Sequence, residues 1–416
     1  MSVEIRQPRD EEIEDFVFAG AYAFNQDRRP EALQQSTEFT RAVYRREWLL
    51  GAYVDDRLAA GLRVLPHVML LNGSALTLGA VSAVASLPEY RRQGNVSALL
   101  RHALSDMRDR GQFLSALYTP HVPLYRRFGW EVASLGTRYS FKPKDVRLTR
   151  TAVPGHARRV GPDNWATLNA LYEEYAAQRN GLIMRHEIWW REATLGGSRP
   201  GEGRIDSVPQ DIAIWESDDG KPLGYVIYHT RTHQQPDRRF PESTLVVREL
   251  VTMDADAYAG LINYILSHDI HVRIEWFAPP DEPFLAVVDD PSRVDVAAWP
   301  ALMLRVVDLP KALTARGCLP AANEAQLTLS VYDQAAPWNE GTWRIEAKED
   351  RLMVEPASGG SDIEMDASTL ASLFNGYLSP FEAARAGLLH ITNRSALTDA
   401  AVIFSVTHPP FCMDWF

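Results

Sequence analysis

The chain has 416 residues, with 46% hydrophobic and 10% aromatic content, enough for two or three well-filled domains. Its 43 Lys and Arg against 54 Asp and Glu give a formal net charge of −11, which argues against a nucleic-acid partner and suits a cationic substrate. Cys318 and Cys412 are too few for a disulfide framework or a Cys-rich metal site and fit a reducing cytoplasm. No apolar run is long enough for a membrane helix, the acidic opening MSVEIRQPRDEEIEDF lacks an export signal, and the histidines lack metal-ligand spacing, so no metal is expected.

Near the start, FAGAYAFNQDRRPEALQQ reads as the end of a helix running into a loop, where Phe24, Asp27 and Glu31 are candidates to meet an amine-rich ligand. Next, LTLGAVSAVASLP is rich in small and β-branched residues and stops at Pro88, so it predicts a strand. Beyond it Val96, Leu99, Leu100, Ala103, Leu104 and Met107 recur at steps of three and four, one face of a helix that Gly111 is placed to end. The unit is therefore strand, tight basic turn, helix. At such a helix start the backbone N–H groups of Gln93, Gly94 and Asn95 lack partners within the helix and carry its positive dipole end. Gly94 has no side chain to keep an anion away, and Arg91 and Arg92 add charge. The turn suits one pyrophosphate, although the same residues also serve solubility and turn geometry. It is neither a P-loop nor a three-glycine dinucleotide fingerprint. A second strand, FLSALYTP, follows; Val122 to Phe128 reads as a short helix ended by Gly129, and Trp130 opens another strand.

A basic, aperiodic stretch, FKPKDVRLTRTAVPGHARR (141–159), predicts a boundary near residue 150. After it, a helix through WATLNALY, strands at DIAIWES and KPLGYVIYHT, and STLVVRELVTMDADAYAGLINYILSH repeat the order strand, turn, helix. This second turn offers Asp254 and Asp256, which would repel a pyrophosphate, so the copy reads as structural. A Pro- and Asp-rich stretch at 279–302 predicts a second boundary near 295. From MLRVVDLPKALTARG onward, strands (AQLTLSVYD, GTWRIEAKED, DRLMVEP) precede helices (ASTLASLFNGYL, SPFEAARAGLL), an α+β order.

The turn YRRQGNVSALL with the downstream LYRRFGW resembles the acetyl-CoA-binding core of the GNAT superfamily of N-acetyltransferases, and Val96 departs from the Gly or Ala often found at its position. The order of units, with QRNGLIMR and LSPFEAARAG, resembles the Eis (enhanced intracellular survival) family over nearly the whole chain. The resemblance implies an α/β (α+β) architecture: a catalytic GNAT domain over 1–150, a degenerate mixed-sheet copy over 151–295, and a sterol-carrier-protein-like domain over 296–416. It implies that Val84, Ala85 and Ser86 line the pantetheine arm of the cosubstrate acetyl-CoA and that Arg91, Arg92, Gln93, Gly94 and Asn95 hold its pyrophosphate. Tyr125 would protonate the departing thiolate, and the terminal carboxylate of Phe416 would serve the acceptor. Acceptors would be primary amines of aminoglycoside, polyamine or lysine type, and the assembly a hexamer.

Several readings stay open on the residues themselves. A phenol with a reference pKa near 10 remains protonated at neutral pH, which suits an acid, yet Tyr125 also fits a half-buried aromatic. An α-carboxyl with a reference pKa near 3.5 suits an anchor for an ammonium better than a strong base. The ending THPPFCMDWF is too apolar for a disordered tail and predicts buried Phe411, Trp415 and Phe416; His121, His408 and Asp414 are lesser candidates for the acceptor role. A chain that only carries CoA or a lipid is the alternative function, and it would have no use for Tyr125 beside an intact turn.

Overall fold

A computed structural model describes residues 3–196, 208–234 and 241–416. The first unit carries strands β1 (Val3–Arg6), β2 (Leu49–Val54), β3 (Arg57–Leu71), β4 (Ser74–Ser86), β5 (Leu114–Leu117) and β6 (Glu131–Val132). Its helices are α1 (Ile13–Ala23), α2 (Pro30–Val43), α3 (Asn95–Asp109) and α4 (Val122–Arg126). β7 (Leu135–Phe141) leads on to β8 (His156–Val160), α5 (Trp165–Ala176), β9 (Asp211–Glu216), β10 (Pro222–His233), β11 (Glu242–Thr252), α6 (Ala255–Leu266), β12 (Arg273–Ala278), α7 (Phe284–Val287), β13 (Asp295–Pro300) and β14 (Met303–Val306). The remainder holds α8 (Leu309–Ala315), β15 (Gln326–Tyr332), β16 (Gly341–Lys348), β17 (Arg351–Pro356), β18 (Ile363–Asp366), α9 (Ala367–Phe374), α10 (Pro380–Arg385), β19 (His390–Ile391) and α11 (Ala396–Ile403).

Two seven-stranded mixed sheets have the same plan. The first runs β1-β2-β3-β4-β5-β14-β6 and the second, read from its opposite edge, β8-β9-β10-β11-β12-β7-β13. Each contains one parallel pair, β4 with β5 and β11 with β12, joined by α3 and α6 respectively. The apolar stripe of α3 works as its spacing requires: Leu99, Leu100, Ala103, Leu104 and Met107 are fully buried under the first sheet.

The sixth place in each sheet is filled from the other half of the chain. β14 lies between β5 and β6, and β7 lies between β12 and β13. The expected limits at 150 and 295 therefore do not coincide with sheet membership, and MLRV, expected to open the third unit, belongs to the first sheet. A four-residue apolar strand fits any sheet with a vacant place, and only long-range pairing decides which.

The third unit is a five-stranded sheet, β17-β16-β15-β18-β19, with helices α8–α11. It is welded to the first sheet by α9, whose Ser372 hydroxyl and, just beyond its end, Asn375 amide donate to the carbonyls of Val132 and Ala133, both at 2.8 Å. Beneath, Arg305 of β14 meets Asp333 at 2.5 Å, both side chains buried. Among the described residues no helix is long and apolar enough to cross a membrane.

Candidate active site

The site begins where β4 leaves β5. The parallel register ends at Ala80 opposite Ala116, while β4 continues six residues to Ser86. Within that extension the pairing with β3 slips, leaving two residues, Ala83 and Val84, opposite Leu62 alone, and Ala83 takes a left-handed φ of 51°. A bulge of this kind bends a strand and re-aims its peptide groups. Val84 and Ser86 are half-buried there and Ala85 is buried, on the part of β4 that no longer pairs with β5.

The turn follows at once. Arg91 donates through Nε to the Ser86 carbonyl at 3.2 Å, Gln93 through its amide to Glu89 O at 2.9 Å, and Asn95 through Nδ2 to Tyr90 O at 3.1 Å. Arg92 and Gly94 both adopt left-handed backbone, with φ of 61° and 88°. Gly94 is the N-cap of α3, and no side chain caps that end. The first-turn N–H groups are thus left for another acceptor. A Cβ built on Gly94 would meet nothing within 4 Å, so the approach is open, and the buried Oδ1 of Asn95 has no partner. Arg91, Arg92 and Gln93 are exposed around it. These residues fit the diphosphate of acetyl-CoA: open N–H donors, a glycine that admits close approach, and two cations.

The second turn is built the other way. Asp254 is the N-cap of α6 and accepts from Ala257 N at 2.8 Å, and Asp256 is paired with Arg150. The place an anion would take is filled by the chain's own carboxylate.

Tyr125 sits near the end of α4, 6% exposed, edge-on to Trp130 at 6.4 Å. Burial pushes its hydroxyl up to about 12, and Thr119, beside it, pulls weakly the other way. Thr119 follows Tyr118, and Tyr118 is where the last residues of the chain arrive. The Tyr118 hydroxyl donates to the Asp414 carbonyl at 2.9 Å. Its ring stacks on Trp415 at 4.3 Å and meets Phe416, tilted, at 5.4 Å. Phe416 also lies 5.6 Å from the ring of His67 on β3, whose Nε2 is buried without a partner and whose burial pulls it down to about 4. The structure thus brings Phe416 onto Tyr118, the residue that follows β5. Phe416 is buried and Phe411 half-buried, but Trp415 is 43% exposed, against expectation, because it rests one face on Tyr118 and turns the other to solvent.

The acceptor-wall candidates lie at the end of α1, in the connection that follows it and at the start of α2. Phe24 is exposed and caps the end of α1. Asp27 lies in the connection but is taken by Arg29 at 2.5 Å, which holds its carboxyl down to about 2. Glu31, expected in a loop, is in the first turn of α2 because Pro30 starts that helix. His121 is exposed ahead of α4, and His408 is bound through Nδ1 to Asp281 at 2.8 Å.

Asp414 proves to be buried in a cluster that sequence reasoning did not anticipate. Arg185 Nε donates to its two oxygens at 3.0 and 3.1 Å, and the Trp189 indole donates at 2.7 Å. The rest of the Arg185 guanidinium forms a bidentate pair with Glu249 of β11, at 2.9 and 2.6 Å, and Tyr225 donates to the same carboxylate at 2.5 Å. Burial pushes the Asp414 carboxyl above its ordinary range, against the pull of Arg185. Two carboxylates face one guanidinium, and with Thr194 and Trp415 they line a cavity open to solvent. The sequence signal was slight: Arg185 ends the apolar run GLIM. Among the described residues no group of His, Cys, Asp and Glu side chains is arranged to hold a metal.

Comparison with known proteins bears on this geometry. Residues 4–133 and 181–306 each match a family model described as an acetyltransferase (GNAT) domain, and 309–413 match a sterol carrier protein domain. An uncharacterized N-acetyltransferase of Streptomyces griseus is 26% identical over 384 residues, covering 88% of each chain. N-acetyltransferase Eis of Mycobacterium tuberculosis is 26% identical over 364 residues, covering 85% of this chain and 80% of that one. Among solved structures, a GCN5-related N-acetyltransferase from Anabaena variabilis shares the fold with a TM-score of 0.86 at 24% identity, and Eis1 from Mycobacterium abscessus gives 0.80 at 25%, each covering both chains fully.

Proposed function

We propose that this N-acetyltransferase, a homologue of the Eis enzymes that joins two GNAT domains to a sterol-carrier domain, moves the acetyl group of acetyl-CoA directly onto a primary amine. The observation that carries the reading is the open N-terminus of α3 at Gly94, beyond a strand edge that has left its neighbour. Bound acetyl-CoA would supply a thioester carbonyl and a thiolate leaving group. Arg91, Arg92 and the N–H groups behind Gly94 would grip the diphosphate, and the edge of β4 at Val84, Ala85 and Ser86 that has left β5 would orient the arm and polarise the carbonyl. Tyr125, kept protonated by burial, would give its proton to the thiolate.

The acceptor is read as cationic. A carboxylate at Phe416 would anchor the ammonium, beside a cavity in which Asp414 and Glu249 stand against Arg185 and Arg248. Aminoglycosides, polyamines and lysine side chains share this chemistry, and the Eis resemblance adds a cytoplasmic hexamer to the reading. The test is release of free thiol from acetyl-CoA by a panel of such amines, repeated with a chain extended by a few residues beyond Phe416. Turnover with at least one amine is expected. Extension should cost about 10- to 100-fold, the worth of one charge-assisted hydrogen bond. No turnover with any amine would overturn the reading, and an extended, folded chain working at the native rate would remove Phe416 from it.

A further inference from the structure

The second domain fills the N-terminus of α6 with Asp254, and it aims a network of buried charge at the chain end. Arg185 and Asp414 are 6% exposed and Glu249 is 4%. A buried ion network is weak evidence for stability, since apolar residues of similar volume often serve as well. What the network does supply is direction. Arg185 is fixed on one side by Glu249, itself held by Tyr225, and its ring contacts with Tyr172 (4.0 Å) and Trp190 (4.7 Å) fix its plane. Its remaining edge takes Asp414, two residues before Phe416. The carbonyl of the same residue is held by Tyr118 from the first domain. Asp414 is therefore gripped at its side chain by one domain and at its backbone by the other, immediately ahead of Trp415 and Phe416.

We infer that Arg185 is a positioning residue for acetyl transfer: by clamping Asp414 it sets where Trp415 and Phe416 lie on Tyr118, so the second domain acts as the jig for the acceptor end of the first. The inference rests on the proposed placing of the acceptor beside Phe416. Arginine is required because only its planar fork reaches both carboxylates at once, and lysine offers a single point charge. A small misplacement of a positioned group is costly in rate even when the fold survives.

The test uses the full chain with Arg185→Lys, Asp414→Asn and, as a third variant, Trp189→Phe, which removes the indole donor together with part of a ring packed on His67 and His186. For each, the KM of the amine should rise several-fold and kcat should fall about tenfold, while KM and Kd for acetyl-CoA stay within twofold. A smaller folded fraction would lower kcat but leave both KM values alone. In the absence of any ligand, hydrogen exchange of residues 411–416 should quicken about tenfold or more, following the loosened clamp. Arg185→Lys combined with Asp414→Asn should add little to either change alone, as expected of one network. Native amine KM and native exchange in Asp414→Asn and Trp189→Phe would overturn the inference. The extended chain separates the two claims: native turnover there refutes the use of Phe416, whereas lost turnover there with native behaviour in Asp414→Asn overturns the clamp alone.

Discussion

Gly94 and Asp254 occupy the same place in two copies of one plan, each the N-cap of the helix that joins the parallel strands of its sheet. Gly94 leaves the first turn of α3 uncapped, and Asp254 fills the first turn of α6 with its own carboxylate. The two N-caps are thus one difference between the turns, beside the arginines of the first and Asp256 of the second. Gly94→Asp should reproduce the second state in the first domain. Aspartate tolerates a left-handed backbone better than most residues, so the fold should stand. Affinity for acetyl-CoA should fall by about 10²-fold or more, from a lost N–H donor plus repulsion. Asp254→Ala should cost about 1 kcal/mol of stability through the lost cap and leave acetyl-CoA binding unchanged. Calorimetry on both variants checks the contrast, and tight binding by Gly94→Asp would refute it.

Charge reversal at the turn makes an independent case. Arg92 is exposed and already left-handed, and Arg91 holds the Ser86 carbonyl only by its Nε. Replacing both with glutamate changes two attractions into two repulsions without touching the core. Binding of acetyl-CoA should be abolished at low salt and should not return at higher ionic strength, because screening weakens the repulsion but restores no donor. Unchanged affinity would sink the assignment of the turn.

Tyr125 yields a prediction in pH as well as in rate. Burial raises its hydroxyl to about 12, so the proton is retained across the whole range in which the protein can be assayed. Tyr125→Phe should lower turnover by about 10²-fold, a typical general-acid factor, and by the same factor at pH 7 and at pH 10. A loss that shrinks as the pH rises from 7 to 10 would mean that the phenol is ionising within the range, and the acid role would fail.

How much of this could be read from the sequence depends on how local the cause is. The stripe of α3, the basic turn and the glycine at its tip are set within a short stretch of chain, and they stand where the periodicity places them. The exchange of β7 and β14 has no local signal, because MLRV and LGTRYSF satisfy the strand pattern wherever they pair. Arg185 was invisible for a sharper reason. Its partners lie 64 and 229 residues further on, and an arginine after an apolar run ordinarily marks the point where a chain reaches water. Trp415 misled in the opposite sense: its ring is apolar enough to predict burial, but a single stacked face is all the fold uses.

The FGW motif is likewise explained from a distance. Gly129 has φ of 83°, and a Cβ there would come within 2.7 Å of Arg305 Nη1 and 3.0 Å of the Ala367 side chain. Arg305 cannot yield, since it is buried against Asp333 where the exchanged strand meets the third unit. Gly129→Ala should therefore destabilise by more than the usual helix-end penalty, on the order of 2–4 kcal/mol, from strain at φ plus overpacking. Urea unfolding followed by tryptophan fluorescence would register the shift. A midpoint within error of the native one would show that the weld between the first sheet and the third unit is looser than its geometry implies.

Glu282 supplies a pH effect whose sign is fixed by burial. It lies beside Asp281, accepts a hydrogen bond from the Tyr258 hydroxyl, and is pushed up to about 7, chiefly by burial; Tyr258 and Arg179 only partly offset the desolvation. The unfolded chain would bind that proton only near pH 4.5. Between these values the folded state holds more protons than the unfolded one, so this group's contribution to stability is full below about 4.5 and is lost as the pH rises through 7. The whole effect is at most about 3 kcal/mol. Glu282→Gln keeps the acceptor oxygen for Tyr258 and cannot ionise, so it escapes the loss. The native chain and the Glu282→Gln variant should unfold at similar urea concentrations at about pH 4.5 to 5, and the variant should become the more stable of the two by about pH 8. Parallel curves across that range would show that Glu282 ionises in the folded protein as readily as it does in water, and the opposite divergence would mean that Arg179, rather than burial, governs its charge.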